Sequence, residues 1–221
     1  MGNYINDINK WMKDYEKVSN ATEKGDIAEN MVYRICEEVY KRQGGILMHS
    51  YSHKVDKDLK GNIKRKGDVL FIENLGSFTE IDVLLVTPYR IIPIEVKAYS
   101  SKKIVLTDKQ ISGVFADEKS PVHQNEMHCR HLYSSIFKCL PDGMTEYIKP
   151  LVVFADRCTL DDQRSGWQKE YIPVCLLNDL EAMLQKLNKP GQYRLDLRAV
   201  DQALKDCAMG EVKKISPLKI K

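Results

Sequence analysis

The chain has 221 residues, enough for one domain with its own core and only marginally enough for two. Hydrophobic residues at 43% and charged residues at 29% exclude a low-complexity or disordered polymer and fit a soluble globular fold. A formal net charge of +3 does not mark a nucleic-acid binder, because local patches rather than totals attract phosphate.

No uninterrupted apolar run occurs in the first 20 residues. No secretory leader or membrane span can be drawn there, and a cytoplasmic setting is the default expectation. Cys36, Cys129, Cys139, Cys158, Cys175 and Cys207 include no C-x-x-C pair. That spacing argues against a zinc site or a disulfide framework and for reduced, mostly buried thiols.

Ile8, Trp11, Met12 and Tyr15 recur at helical spacing and predict an amphipathic helical extension over residues 1–20. The main domain is expected over 21–190. It opens on a helix whose stripe is Ile27, Met31, Ile35 and Val39, flanked by Ala28, Val32 and Cys36, with Glu29 at its edge. Between Lys41 and Lys66 the chain gathers Lys41, Arg42, Lys54, Lys57, Lys60, Lys64, Arg65 and Lys66 against only Asp56 and Asp58. A solvated loop and a grip on a phosphate backbone both fit such a stretch.

The period then changes. Residues 68–72, 80–87 and 90–98 are short, β-branched-rich runs between turn residues, which predicts successive strands. Residues 103–106 are expected to extend the same sheet. Ser120 before Pro121 marks a helix start. In that helix Cys129, Leu132, Tyr133, Ile136 and Leu140 form an apolar stripe, while Gln124, His128 and His131 line another face. Further strands are predicted at 151–155 and 171–176, and a helix near 180–187. Lys189-Pro190-Gly191 breaks the pattern, leaving a C-terminal helix and basic tail over 191–221. The order reads as a mixed α/β layer fold.

Glu-x-Lys is a common tripeptide in a chain this rich in both residues, and it occurs twice, at Glu95-Val96-Lys97 and at Glu211-Val212-Lys213. The second follows Gly210 in a polar tail with no strand pattern. The first closes a strand, so both charges point to one side. If the chain reverses at Pro88-Tyr89 with Thr87 opposite Arg90, Asp82 lies across from Glu95. Opposed Cβ atoms are then about 4.5–5.5 Å apart, and two carboxylates can share one divalent cation. A buried or edge ion pair with Lys97 is the structural alternative. Mg2+, with Mn2+ as a substitute, suits such oxygen ligands because it retains waters and also binds substrate phosphates. Lys97 would then meet the attacking water or a phosphate oxygen.

Four blocks in order resemble the nuclease-related domain (NERD) family of the PD-(D/E)xK nuclease superfamily. Gly25 to Glu29 resembles its G-x-x-x-E helix, Ile81-Asp82 to Val86 its I-D-x-x-x-V strand, and Ile91 to Lys97 its I-x-x-x-E-V-K strand. Pro121, Gln124, Asn125, His128 and Leu132 resemble its P-x-x-Q-N-x-x-H-x-x-x-L helix. The resemblance is strongest over 22–156. Arg90 stands where the family has a turn glycine, and the segment 52–78 is longer than usual.

The resemblance implies a restriction-endonuclease-like core of order α-β-β-β-α-β, an antiparallel meander in a mixed sheet flanked by helices. It also implies metal ligation by Asp82, Glu95 and Val96 and catalysis by Lys97, with Glu29 and Gln124 facing the site. His128 is expected as a supporting residue beside the ligands. For Glu29, helical phase alone favours a solvated carboxylate, and for His128 and His131 an ordinary hydrogen-bonded or exposed role. The expected activity is metal-dependent hydrolysis of DNA, with the basic stretch Lys54 to Lys66 on the backbone. RNA is the less expected partner, since no aromatic RNA-recognition motif is present. Self-association is compatible with the chain. The alternative is a nucleic-acid- or partner-binding module on a nuclease fold without turnover.

Overall fold

The computed structural model describes residues 4–41, 44–54, 78–99, 101–108, 111–112, 120–191 and 193–209. Helix α1 (Tyr4–Lys17) packs through Met12 and Tyr15 against α2 (Ala21–Tyr40). α2 starts where the Asn20 side chain accepts the Glu23 N–H at 3.1 Å, which satisfies one of the orphan donors of its first turn. Of its predicted stripe Met31 and Ile35 are buried and Ile27 and Val39 are half-buried, while the flanking Ala28, Val32 and Cys36 are fully enclosed.

Five strands form the main sheet in the order β1 (Ile46–Lys54), β2 (Phe78–Val86), β3 (Ile91–Lys97), β6 (Leu151–Phe154) and β8 (Val174–Leu176). β1–β2–β3 is an antiparallel meander, whereas β6 and β8 join in parallel. The chain crosses from β3 to β6 through α3 (Pro121–Ile136). α1, α2 and α5 (Leu180–Leu187) cover one face, where Met31, Leu180 and Leu184 meet Val83, Leu85, Ile92, Ile94 and Val153. α3 and α6 (Leu197–Cys207) cover the other, where Leu132, Ile136, Val200 and Leu204 meet Met48, Leu84, Val86 and Ile91. A sheet between two helical layers is the restriction-endonuclease-like arrangement expected. Among the described residues no helix is long and apolar enough to cross a membrane, and all six cysteines are free thiols.

Two expectations change. Residues 103–106 do form a strand, β4 (Lys103–Leu106), but it does not extend the main sheet. It lies in a separate three-stranded sheet, between β5 (Ile111–Ser112) and β7 (Thr159–Asp162). Both sides of β3 are already occupied, by β2 and β6, so the chain leaving β3 has no free edge beside it. Ile104 and Leu106 are buried instead with Val122, Phe154 and Ile172. The partner of β2 is β1, a strand that the basic character of the region conceals. The run at 68–72 lies outside the described residues.

The β2–β3 hairpin has the predicted register, Val86 opposite Ile91 through Val83 opposite Ile94. Arg90 is tolerated in place of a turn glycine because among the described residues only Ser50 and Asp142 are non-glycine positions with positive φ. Thr87 carries the turn. Its Oγ1 accepts the N–H groups of Tyr89 and Arg90 at 3.1 and 2.8 Å. Beyond α6, the Met209 N–H donates to the Ser52 carbonyl at 2.9 Å and Ala208 bridges His53, so the outer side of β1 is paired there.

Candidate active site

At the end of β2–β3 away from the turn, the ladder stops one residue short of Asp82 and Glu95. The reason lies in β1. Leu47 faces the α2 core while Ile46 and Met48 face the α3–α6 core, and then Tyr51 also faces the α3–α6 core. The alternation slips by one residue at Ser50, whose φ of 49° lies in the left-handed region that L side chains rarely adopt. The pairing skips from His49–Val83 to Tyr51–Ile81, which leaves Asp82 unpaired opposite Ser50. Freed from the pleat, its Oδ2 accepts the Val96 N–H at 2.7 Å.

Glu95 and Lys97 share a face as predicted, with Lys97 Nζ 2.6 Å from Glu95 Oε1. Glu95 is only 1% exposed, yet neither oxygen has a well-directed hydrogen bond beyond the ion pair of Oε1 with Lys97. α3 supplies three neighbours. Gln124 Oε1 accepts from Lys97 Nζ at 3.2 Å. His128 Nδ1 lies 3.5 Å from Glu95 Oε2. Asn125 Nδ2 donates to the Pro93 and Leu151 carbonyls at 3.2 and 2.8 Å, tying β3 to β6 beneath the pair.

α2 approaches from the other layer. Glu29, at the edge of the stripe, has its Oε2 3.5 Å from His49 Nε2 of β1, and His49 stands edge-on to Tyr33. The chain after Lys97 is fixed as well. The Lys97 carbonyl accepts the Ala155 N–H at 2.9 Å, and buried Asp156 accepts from the Tyr99 N–H and the Tyr15 hydroxyl at 2.7 and 2.6 Å.

These groups shift one another's protonation. Burial first, then Asp82, Asp26 and Glu80, raise Glu29 to about 7. Burial pushes Asp82 up against the opposing effects of the Val96 N–H and Lys97. Glu95 rises through burial and then through Asp82, which outweigh Lys97. On the α3 side burial lowers His128 and His53 to about 4 each, so both are neutral at pH 7. Three mutually repelling carboxylates around one lysine and a neutral histidine make a place where positive charge is in deficit.

Among the described residues no three His, Cys, Asp or Glu side chains are gathered closely enough to hold a metal ion by themselves. The two-carboxylate set is what a cation that keeps several waters requires. Glu95, buried with both oxygens poorly satisfied, is the observation that fits a cation there. Glu95, Lys97, Gln124 and His128 are neighbours, Asp82 joins them through the Val96 N–H, and Glu29 acts on Asp82, Glu95 and Lys97 by charge while its ion-pair contact is His49. Lys54 closes β1 near the same end of the sheet, whereas Lys57, Lys60, Lys64, Arg65 and Lys66 lie outside the described residues. His49, Ser50 and Asp156 escaped sequence reading. Gly44-Gly45 before Ile46-Leu47-Met48-His49 is the turn-and-strand signal that marks the first two.

Residues 24–155, more than half of the chain, match the family model described as nuclease-related domain. No curated protein and no solved structure shows a significant match.

Proposed function

This chain belongs to the nuclease-related domain family, and from that premise we propose that it hydrolyses phosphodiester bonds in DNA with Mg2+, or Mn2+ in its place. The observation that carries the reading is Glu95, a carboxylate 1% exposed, without a directed hydrogen bond and within the electrostatic reach of Asp82. Burying such a group is costly, and the Lys97 ammonium offsets that cost only in part, since burial and Asp82 outweigh it.

Asp82 and Glu95 would hold the cation, with the Val96 main chain between them. When bound, the cation supplies neutralisation of the scissile phosphate and acidity to a water. Lys97, whose side chain is 22% exposed, reaches from the buried pair towards the opening and donates to the water or a phosphate oxygen. Gln124 holds its amino group by accepting from Nζ. Glu29 acts on Asp82 and Lys97 by charge from α2 and would serve as an additional ligand or hold a water of the cation. Neutral His128 backs Glu95 from α3 and acts through it. The basic stretch from Lys54 to Lys66 would grip the DNA backbone.

The test is cleavage of plasmid and linear DNA in Mg2+. Glu95→Ala and Lys97→Ala should abolish it while the circular dichroism melt stays cooperative. Unchanged cleavage by Lys97→Ala overturns the reading. The absence of a third acidic or imidazole ligand among the described residues favours one other reading, a nucleic-acid- or partner-binding module without turnover. No calorimetric signal for Mg2+ or Mn2+ with DNA present would select it.

A further inference from the structure

After β7 the chain builds a second concave surface. Helix α4 (Gly166–Tyr171) has six residues, too few to persist alone in water. Buried Arg164 clamps both of its ends. Its Nε and Nη2 donate to the two Asp162 oxygens at 2.8 and 2.9 Å, and Nη1 donates to the Ile172 carbonyl at 2.9 Å. The Ser165 N–H and hydroxyl donate to Asp108 Oδ1 at 2.7 and 3.1 Å. What this clamped helix presents outward is Trp167 and Tyr171, four residues apart on one face and 66% and 45% exposed. Rings of that size are ordinarily buried against apolar neighbours.

The two rings wall a cleft of about 380 Å³ whose other side is the start of α3, through Ser120, His123 and Glu126, with Asp108 at its lining. Gln124, which accepts from Lys97 Nζ, follows His123 directly. One turn of α3, about 5.4 Å of rise, therefore serves both the cleft and the strand-end cluster. Two carboxylates in the lining disfavour phosphate, while the indole and phenol offer flat area to a planar, uncharged group. The volume lies at the small end of ligand pockets, which span about 300–1,000 Å³.

From this arrangement we propose that the cleft receives one unpaired nucleobase of the strand being cut, stacked on Trp167, with the phosphates on the Lys97 side. The inference rests on the DNA reading above and narrows its substrate to single-stranded or frayed DNA, because a base inside a duplex already has both faces stacked.

The chain contains two tryptophans, so Trp11→Phe leaves Trp167 as the sole indole. That protein is titrated, without metal, with a short single-stranded oligodeoxynucleotide and with the matching duplex. Saturable quenching by the single strand and little by the duplex is the expected result. Anisotropy of a labelled strand should show about a tenfold loss of affinity in Trp167→Ala and near-full affinity in Trp167→Phe. Absence of quenching, or equal affinity of Trp167→Ala and wild type, overturns the inference even where Mg2+-dependent cleavage is intact. If cleavage is absent while quenching persists, the hydrolase reading fails and the base site stands. Should Trp167→Ala not fold, quenching and the Trp167→Phe affinity decide alone.

Discussion

Among the described residues two lysine or arginine ion pairs have a partner that is almost wholly buried, and they are treated oppositely. Arg164 uses Nε, Nη1 and Nη2 against Asp162 and the Ile172 carbonyl. Although burial alone pushes Asp162 up, the Arg164 hydrogen bonds outweigh it and bring the carboxyl below its ordinary value. Glu95 and Lys97 are as close, at 2.6 Å, yet Glu95 lacks directed hydrogen bonds and burial and Asp82 drive it upward. A pair whose donors and acceptors are matched holds structure. One left under-satisfied beside a second carboxylate keeps its free energy for a ligand.

The largest expected effect breaks the matched pair. Arg164→Ala leaves Asp162 without its guanidinium and uncouples α4, and should lower stability by about 3–5 kcal/mol in urea titration. Breaking the other pair should cost function instead. Lys97→Ala is expected to lower Mg2+-dependent cleavage about 10²–10³-fold with little change in melting temperature. A large loss of stability in that variant would show that the two pairs are alike after all.

Protonation sharpens the contrast. A buried histidine lowered to about 4 stabilises the fold fully above its ordinary value of 6.5 and loses that contribution as pH falls towards 4, which applies to His53 and His128. Glu29, raised from 4.5 to about 7, behaves in the opposite sense, and its contribution disappears as pH rises through about 7. Asp82 and Glu95 are raised as well and act in the same sense, so metal-free protein should lose stability as pH rises through about 7, with the share of half-buried Glu29 reduced by solvent screening. Saturating Mg2+ should flatten the alkaline limb alone, as read by thermal melts across pH. The smallest effect belongs to Gln124→Ala, about threefold on cleavage, because Lys97 keeps its ion pair with Glu95.

Much of this contrast was legible in the sequence, for identifiable reasons. Helical stripes placed α2 and α3, and Thr87 opposite Arg90 aligned Asp82 with Glu95, because hairpin register is a local property. What stayed hidden is non-local. β1 was masked by surrounding lysines, although Gly45 before it is required where an added Cβ would collide with the Val86 carbonyl oxygen. The slip at Ser50 that turns Asp82 towards Val96 depends on pairing between strands far apart in sequence. Arg164 reads as an ordinary surface arginine until β7 and α4 close around it. The burial of His128 and His131, for which an ordinary hydrogen-bonded or exposed role is the alternative, follows from the face of α3 that is laid on the sheet, where His128 meets Glu95.

The pairing of Ala208 and Met209 along β1 has a consequence of its own. β1 is one of the two outermost strands of the main sheet, and an open edge invites the strand of another molecule to dock there. The short segment after α6 occupies that side with the Met209 N–H and the Ala208 bridge. The consequence is colloidal as much as structural: at Ser52 and His53 the edge offers no free template on which the strand of a neighbouring copy could continue the sheet.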